Sequence, residues 1–99
     1  MVHKALMLLK KVEKGKVTTY GELAKLTRSS PRAIGHVMKN NKNPKLYPCY
    51  KVIMSNGRIG GYSGSKKRNI EKKIKLLRRD GIEISNGRID LKKYGYRFV

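Results

Sequence analysis

Two helix-start signals stand eleven residues apart in the first third of the chain and limit what this part can fold into. Thr19 is followed three residues later by Glu22, which is the spacing of a capping box. Ser30 precedes Pro31, and proline suits the first position of a helix because its missing N–H needs no partner there. Only a short helix fits between the two signals, and a second helix follows. This arrangement predicts a helix-turn-helix.

Apolar residues at helical spacing predict further helices on both sides of this pair. Ala5, Leu9 and Val12 share one face of a first helix, which Gly15 can end. A later apolar stripe predicts another helix from about Lys66 to Arg79. The chain is therefore expected to be mainly helical.

The remaining segments have extended or turn character. Leu46–Met54 is predicted to be extended, and the string Ser-Asn-Gly-Arg-Ile occurs twice, at Ser55–Ile59 and Ser85–Ile89. Because Asn-Gly favours the type I′ turn, each copy predicts a hairpin turn, the second one between Ile82–Ile84 and Ile89–Leu91. The expected fold class is mainly α with short β-hairpins, a winged helix-turn-helix.

Positive charge dominates the composition. The 99 residues include 25 Lys and Arg but 6 Asp and Glu, a net charge of +19. The length suits one domain, residues 1–99. This charge favours a polyanionic partner, which could be DNA, RNA or an anionic membrane surface. The membrane is the weaker reading, since the basic residues do not gather on one amphipathic helix. A solvated, lysine-rich surface that aids solubility is the remaining alternative.

The single cysteine, Cys49, is the candidate nucleophile. One cysteine excludes an internal disulfide and indicates a reducing compartment. No metal site is expected, because His3 and His36 stand at no ligand spacing from it. A lone cysteine is most often a small buried hydrophobe. Here Pro48 fixes the backbone before the sulfur and Lys51 lies close enough in sequence to favour a thiolate.

Five segments, taken in order, match motifs of one known family. The segments are Gly15–Ala24, Arg32–Gly35, Pro48–Val52, Gly60–Gly64 and Leu76–Gly81, where the family has Gly-x-Val-x-Thr-Tyr-Gly-x-Leu-Ala, Arg-Ala-Val-Gly, Pro-Cys-His-Arg-Val, Gly-Gly-Tyr-x-Gly and Leu-Leu-x-x-Glu-Gly. Asn41 and Pro44 match its Asn-Pro-x-Pro hinge in part. The chain therefore resembles the C-terminal domain of the O6-alkylguanine-DNA alkyltransferases, without the N-terminal domain that usually precedes it.

The resemblance implies a chemistry and a partner. Members bind double-stranded DNA through the minor groove, flip an alkylated guanine out of the helix and transfer its alkyl group to the cysteine sulfur. The transfer is irreversible, so each molecule acts once and no cofactor is needed. We accordingly expect a monomer that acts on alkylated DNA, with no membrane partner. The expected location is the cytoplasm, with the nucleoid, or the nucleus if the source is eukaryotic.

The resemblance also assigns residues to roles. The catalytic residues would be Cys49, Tyr50, Asp80 and Asn41. The DNA-binding residues would be Tyr20, Arg32, Ala33, Gly35, Met38, Lys51 and Ser55, with Arg32 filling the space of the flipped base. The alkylguanine pocket would be lined by Met38, Val52, Gly60, Tyr62, Ser63 and Gly64. For Tyr20 and Tyr62 the alternative is ordinary half-buried packing.

Two departures from the family pattern concern the proton relay. Tyr50 stands where the family has the His that takes the thiol proton, and Asp80 stands where it has the Glu that orients this His. A phenol has a pKa near 10, so Tyr50 is a poor base at neutral pH. The thiolate would then depend on the positive field around it, including Lys51. We expect slow transfer at neutral pH that becomes faster as the pH rises.

Two other functions remain open. Alkyltransferase-like proteins bind alkylated DNA without transferring the group and recruit repair factors, and in them the cysteine is replaced. Cys49 argues against this reading, whereas Tyr50 keeps it open. A basic winged helix-turn-helix that binds DNA without any chemistry is the third reading.

Overall fold

Short helices account for most of the regular structure. The structure is a computed structural model that describes residues 3–43, 45–59 and 67–98. The α-helices in these ranges are α1 (Lys4–Leu9), α2 (Tyr20–Thr27), α3 (Pro31–Lys39), α4 (Lys67–Arg79) and α5 (Leu91–Tyr94). One turn of 3₁₀-helix spans Cys49–Lys51, and the strands are β1 (Thr18–Thr19) and β2 (Val52–Ile53). The expected fold class is confirmed.

The two helix-start signals act as the sequence predicts. The Thr19 hydroxyl accepts a hydrogen bond from the Glu22 N–H at 3.0 Å, and the Ser30 hydroxyl accepts one from the Ala33 N–H at 3.1 Å. Arg28 ends α2 in the left-handed conformation, at φ 54°. These caps stop α2 and start α3 within a few residues, which produces the helix-turn-helix.

The small sheet joins distant parts of the chain. Strand β1 pairs in parallel with β2, with Thr18 opposite Val52. On its other side, the Val17 N–H donates to the Tyr94 carbonyl and the Tyr96 N–H donates to the Val17 carbonyl, both at 2.8 Å. The sheet therefore fixes the start of α2 beside the segment that follows the 3₁₀-helix.

The two Ser-Asn-Gly-Arg-Ile copies pair with each other. Arg58 lies opposite Arg88 in an antiparallel bridge. In the second copy Asn86 and Gly87 both have positive φ, at 53° and 71°, as the predicted type I′ turn requires. In the first copy only Gly57 has a positive φ, so the type I′ prediction is wrong there.

Two predicted extended segments are partly helical. Within Leu46–Met54, the residues Cys49–Lys51 form the 3₁₀-turn and only Val52–Ile53 is a strand. Pro48 precedes the turn, and proline cannot donate a ladder hydrogen bond. The strand predicted at Ile89–Leu91 is also wrong, because the Asp90 side chain caps α5 by accepting from the Lys92 N–H at 3.0 Å.

One apolar core connects α1–α4 and both strands. Its buried members include Ala5, Leu9, Val17, Leu23, Ile34, Met38, Cys49, Val52, Ile53, Leu77, Ile82 and Ile89. Among the residues whose burial is described, two lysines, Lys51 and Lys73, are also buried. None of the helices in the described ranges is long and apolar enough to cross a membrane. The core thus contains the candidate nucleophile together with two cationic side chains.

Candidate active site

Cys49 is the first residue of the 3₁₀-helix and its side chain is buried. The Cys49 N–H donates to the Tyr47 carbonyl at 2.7 Å, and the Asn41 side-chain amide donates to the same carbonyl at 2.8 Å. The Asn41 side-chain oxygen accepts from the Asn43 N–H at 3.0 Å. Asn41 therefore holds the segment that leads into Cys49. Its observed contacts are those of a positioning residue.

Tyr50 and Asp80 are joined in the structure. The Tyr50 hydroxyl donates to Asp80 Oδ2 at 2.5 Å, and the Asp80 side chain is only 2% exposed. Burial, together with this hydrogen bond, raises the pKa of Tyr50 to about 12. The pairing of positions 50 and 80 follows the family pattern. However, Tyr50 keeps its proton at neutral pH and cannot accept one from a thiol.

Lys51 makes a contact that the sequence does not predict. Its Nζ donates to the Val12 carbonyl at 2.7 Å, and the residue is buried. Burial lowers the pKa of Lys51, while the nearby Asp80 acts in the opposite direction. The ammonium therefore ties the 3₁₀-helix to the turn that follows α1, and a contact of Lys51 with DNA stays a prediction.

Lys73 is the residue that sequence reasoning missed. It is fully buried on α4, and its Nζ donates to the Val52 carbonyl at 2.5 Å. The same Nζ lies 5.7 Å from the centre of the Tyr20 ring. Burial lowers the pKa of Lys73 to about 7, and the negative charge of Cys49 opposes that shift.

The position of Lys73 on α4 is the sequence feature that could have identified it as buried. It stands three residues after Ile70 and four before Leu77, on the same face as these apolar side chains. Its neighbours Lys72 and Lys75 are exposed, as expected for a basic helix. In a chain with so many lysines, one at an apolar position is easily taken for another solvated cation.

Tyr20 is the third polar residue whose pKa or surroundings involve Cys49 or Lys73. It is the first residue of α2 and is partly buried. Burial, followed by the negative charge of Cys49, raises the pKa of Tyr20. Three elements therefore contribute one polar group each: α2 gives Tyr20, the 3₁₀-helix gives Cys49 and α4 gives Lys73. The fold brings a thiol, a phenol that keeps its proton and an amine together.

One face of α3 is open. Arg32 and Ala33 are exposed, and a Cβ built on Gly35 would meet nothing within 4 Å. Ser55 is also exposed, and its Oγ would lie 2.5 Å from a Cβ built on Gly21, in the first turn of α2. The small side chains leave room for another molecule to approach the α3 backbone closely.

The predicted pocket residues have different outcomes. Met38 is buried in the core, and its predicted contact with DNA or the base stays a prediction. The Val52 side chain is fully buried and its carbonyl accepts from Lys73. The predicted pocket residues Gly60, Tyr62, Ser63 and Gly64 lie outside the described ranges. Within those ranges, no group of three or more His, Cys, Asp or Glu could hold a metal ion.

The sequence is similar to curated proteins of one kind. The "Bifunctional methyltransferase/endonuclease" of Picrophilus torridus is 50% identical over 91 residues, which cover 90% of this chain and 29% of that protein. The "Methylated-DNA--protein-cysteine methyltransferase" of Thermococcus sibiricus is 51% identical over 76 residues, 77% of this chain and 41% of that protein. The chain thus spans less than half the length of these relatives.

Solved structures of the same kind share the fold. S. pombe Atl1, solved in complex with damaged DNA containing O6-carboxymethylguanine, matches with a TM-score of 0.83 and 25% identity over 95% of this chain and 92% of that one. The O6-methylguanine-DNA methyltransferase of Pyrococcus kodakaraensis matches with a TM-score of 0.68 and 44% identity over 80% of this chain and 44% of that one. The family model described as "6-O-methylguanine DNA methyltransferase, DNA binding domain" matches residues 1–82. The chain belongs to this family.

Proposed function

We propose that the chain repairs DNA by transferring an alkyl group from the O6 atom of guanine to Sγ of Cys49, once per molecule. The observation that carries this proposal is the placement of Cys49. It is the first residue of the 3₁₀-helix after Pro48 and is held by Asn41 through the Tyr47 carbonyl, and a charge on Cys49 raises the pKa of both Lys73 and Tyr20. A buried thiol that served only as packing would need no such surroundings.

The transfer is a nucleophilic substitution in one step. The Cys49 thiolate attacks the alkyl carbon, so that a carbon–sulfur bond forms while the bond from carbon to O6 breaks. The electron pair of the broken bond stays on the guanine, which then takes up a proton. Tyr20 keeps its own proton, because burial and the charge of Cys49 raise its pKa, and the guanine takes up its proton from water. The product is a thioether on Cys49, and no residue in this scheme reverses it.

DNA binding would use the open face of α3. Arg32 and Ala33 are exposed there, and the whole chain has a net charge of +19. Such a charge makes the affinity depend mainly on phosphate contacts, with little preference for sequence. Arg32 would occupy the space that the flipped guanine leaves, and the small Ala33 and Gly35 would let α3 enter the minor groove.

A second candidate function is recognition of alkylated DNA without transfer. Two observations favour it: Tyr50 keeps its proton in the bond to Asp80, and S. pombe Atl1 matches 95% of this chain. Cys49 is the observation against it. In this second reading the chain would mark the lesion for other repair factors.

Mass spectrometry after incubation with DNA distinguishes these functions. The chain is mixed with a duplex that contains one O6-methylguanine, and the Cys49 peptide is weighed. We expect a gain equal to one methylene group, which Cys49→Ser abolishes while DNA binding is retained. Binding that is specific for the alkylated duplex, without a mass gain, would support the second candidate. Equal binding to alkylated and normal DNA without a gain would leave only a general DNA-binding domain.

A further inference from the structure

A groove lies between α4 and the segment that contains the 3₁₀-helix. Its volume is about 540 Å³, and none of its lining residues belongs to α2 or α3. Helix α3 packs on α1 and α2, whereas α4 packs on the 3₁₀-helix. The groove is therefore formed by other elements than the open face of α3.

Four cationic side chains line this groove. They are Lys45, which precedes the 3₁₀-helix, Lys51 within that helix, and Lys72 and Arg79 on α4. Three of them are exposed, while Lys51 is buried and donates to the Val12 carbonyl. A chain with a high net charge has cations on most of its surface, so their number alone does not identify a site.

The absence of carboxylates distinguishes this groove from two other pockets of the described residues. The pocket beside β1 includes Glu22, and the pocket along α4 includes Glu71. No Asp or Glu of the described residues lines the groove. The Asp80 carboxylate, 3.8 Å from the Arg79 Nε atom, is only 2% exposed and accepts the hydrogen bond of Tyr50. The positive charge of the groove thus faces solvent without an exposed carboxylate among its lining residues.

The cations on α4 are spaced for a chain of phosphates. Lys72, Leu76 and Arg79 follow each other at intervals of four and three residues, so they share one face of the helix. A helix rises about 1.5 Å per residue, which puts Lys72 and Arg79 roughly 10 Å apart along the axis. This length covers about three nucleotides of a DNA strand, at roughly 3.4 Å each. Because arginine also binds a phosphate through two parallel hydrogen bonds, the groove fits consecutive phosphates better than a single small anion.

We propose that this groove binds the sugar–phosphate backbone of a second DNA segment while α3 holds the first, so that one chain joins two duplexes. The proposal rests on the DNA binding of the proposed function, because a chain already bound through α3 meets further DNA at a high local concentration. An acidic polypeptide would match the same charge, but it has no such local concentration. Alkyl transfer is not needed for the second contact.

A bridging experiment on the complete chain tests the second contact. One short unmodified duplex is fixed sparsely to beads, the chain is added, and a second, fluorescent duplex follows. The amount of chain on the beads measures the first contact, and the fluorescence measures the second. We expect the wild type to retain the fluorescent duplex. The groove variant, Lys45→Glu with Lys72→Glu, should reduce that retention about tenfold or more, because it loses phosphate contacts.

Lys10→Glu with Lys11→Glu is the matched control. Both residues are exposed in the turn after α1, and the double substitution removes the same amount of charge. It should retain the fluorescent duplex nearly as well as the wild type. Equal losses in the two variants would overturn the proposal, because total charge and not the groove would then join the duplexes. A groove variant that binds the first duplex much more weakly than the control does would also overturn it, because the groove would then contact the same duplex as α3.

Two further samples separate the remaining explanations. In one, labelled polyglutamate replaces the second duplex. Groove-dependent retention of polyglutamate without groove-dependent retention of the duplex would overturn the proposal in favour of an acidic protein partner. The other is sedimentation of the chain without DNA, where we expect a monomer. A dimer would overturn the proposal, since two copies would then hold one duplex each.

The bridging experiment also keeps the two proposals apart, because its DNA is unmodified. Groove-dependent bridging by a chain that transfers no alkyl group would contradict the proposed function and leave the groove in place. A chain that transfers the alkyl group and binds the first duplex, but captures no second duplex, would overturn only the groove.

Discussion

Lys51 and Lys73 are two buried lysines with similar contacts and different surroundings. Each donates its Nζ hydrogen to one backbone carbonyl, that of Val12 for Lys51 and that of Val52 for Lys73. The charge of Asp80 raises the pKa of Lys51, whereas a charge on Cys49 raises the pKa of Lys73. A permanent carboxylate neutralises a lysine in the resting protein. A thiol does so only when it ionises, so the second arrangement couples the lysine to the chemistry.

The two tyrosines of the region follow the same division. The Tyr50 hydroxyl donates to Asp80, and these two residues stand at the positions where the family has the His and Glu of its proton relay. Tyr20 lies next to Lys73 and responds to the charge of Cys49. The site therefore has a static half, formed by Tyr50, Lys51 and Asp80, and a reactive half, formed by Tyr20, Cys49 and Lys73. Substitutions in the two halves should therefore have different effects.

The largest expected effect is a pH-dependent stability that only Lys73 causes. Its pKa is about 7 in the folded chain, against an ordinary value of 10.5. Between these values the unfolded chain binds more protons, so the free energy of unfolding rises with pH. The cost of burying the ammonium is fully present below about pH 7 and disappears above pH 10.5. This cost is on the order of a few kcal/mol.

Urea unfolding from pH 6 to pH 10 measures this effect. The two proteins to compare are Cys49→Ser and the double variant that also carries Lys73→Met, because neither has a thiol that contributes. The difference in unfolding free energy between the two proteins should change steadily across that range, in the direction that favours the protein with Lys73 at high pH. A constant difference would mean that Lys73 carries its ordinary pKa in the folded chain.

Tyr50→Phe tests the static half. The substitution leaves the buried Asp80 carboxylate without its hydroxyl donor, which is expected to cost about 1–3 kcal/mol of stability. The rate of alkyl transfer should stay within about twofold of the wild type. The Tyr50 phenol of the wild type is protonated and accepts no proton from the thiol, so its removal takes no base from the site. Denaturant unfolding and single-turnover kinetics measure the two quantities. A large loss of rate in a stable Tyr50→Phe would place Tyr50 in the reactive half.

Lys51→Met should lower stability by about 1 kcal/mol, through loss of the hydrogen bond to the Val12 carbonyl. In the static half Lys51 supplies this hydrogen bond and takes no part in the transfer. Transfer rate and the acidity of Cys49 should therefore match those of the wild type. If Lys51→Met slows transfer as much as Lys73→Met, the comparison between the two lysines fails.

Asp80→Asn should have the smallest effect and separates the two lysines most finely. Asp80 raises the pKa of Lys51, so its neutralisation should lower the titration midpoint of Lys51. The midpoint of Lys73 should stay where it is, because the anion that it responds to is Cys49. Side-chain ¹⁵N signals of both lysines report the result in one sample. A common shift of both midpoints would show that the two halves form one electrostatic unit.

Local signals in the sequence predict much of the backbone. The caps at Thr19 and Ser30 are visible in the sequence because each hydroxyl bonds to an N–H only three residues away. The Ser-Asn-Gly-Arg-Ile repeat shows where such reasoning ends. Its second copy forms the expected turn, whereas the first has a different backbone because Gly57 is buried and its carbonyl accepts from the Ile89 N–H at 2.8 Å. A contact between residues so far apart leaves no local trace.

The same limit applies to the site. Family motifs identify Cys49, Tyr50 and Asp80, and the structure brings Tyr50 and Asp80 together. The direction of a lysine side chain depends on what the rest of the fold places around it. For this reason the sequence suggested Lys51 as the cation near the thiol, and Lys73 went unnoticed on a basic helix.

The most direct test of the account is the single-turnover rate of alkyl transfer from an O6-methylguanine duplex, measured against pH for the wild type, Lys73→Met and Tyr50→Phe. The sequence alone predicted a wild-type rate that rises with pH. Because the charges of Lys73 and Cys49 favour each other, we expect instead a wild-type rate that is nearly constant from pH 7 upward. Lys73→Met should be about tenfold slower at pH 7 and should gain rate as the pH rises, because a one-unit rise in the pKa of the thiol lowers the thiolate fraction by that factor. Tyr50→Phe should follow the wild-type profile. A Lys73→Met protein with the rate and pH profile of the wild type would contradict the account.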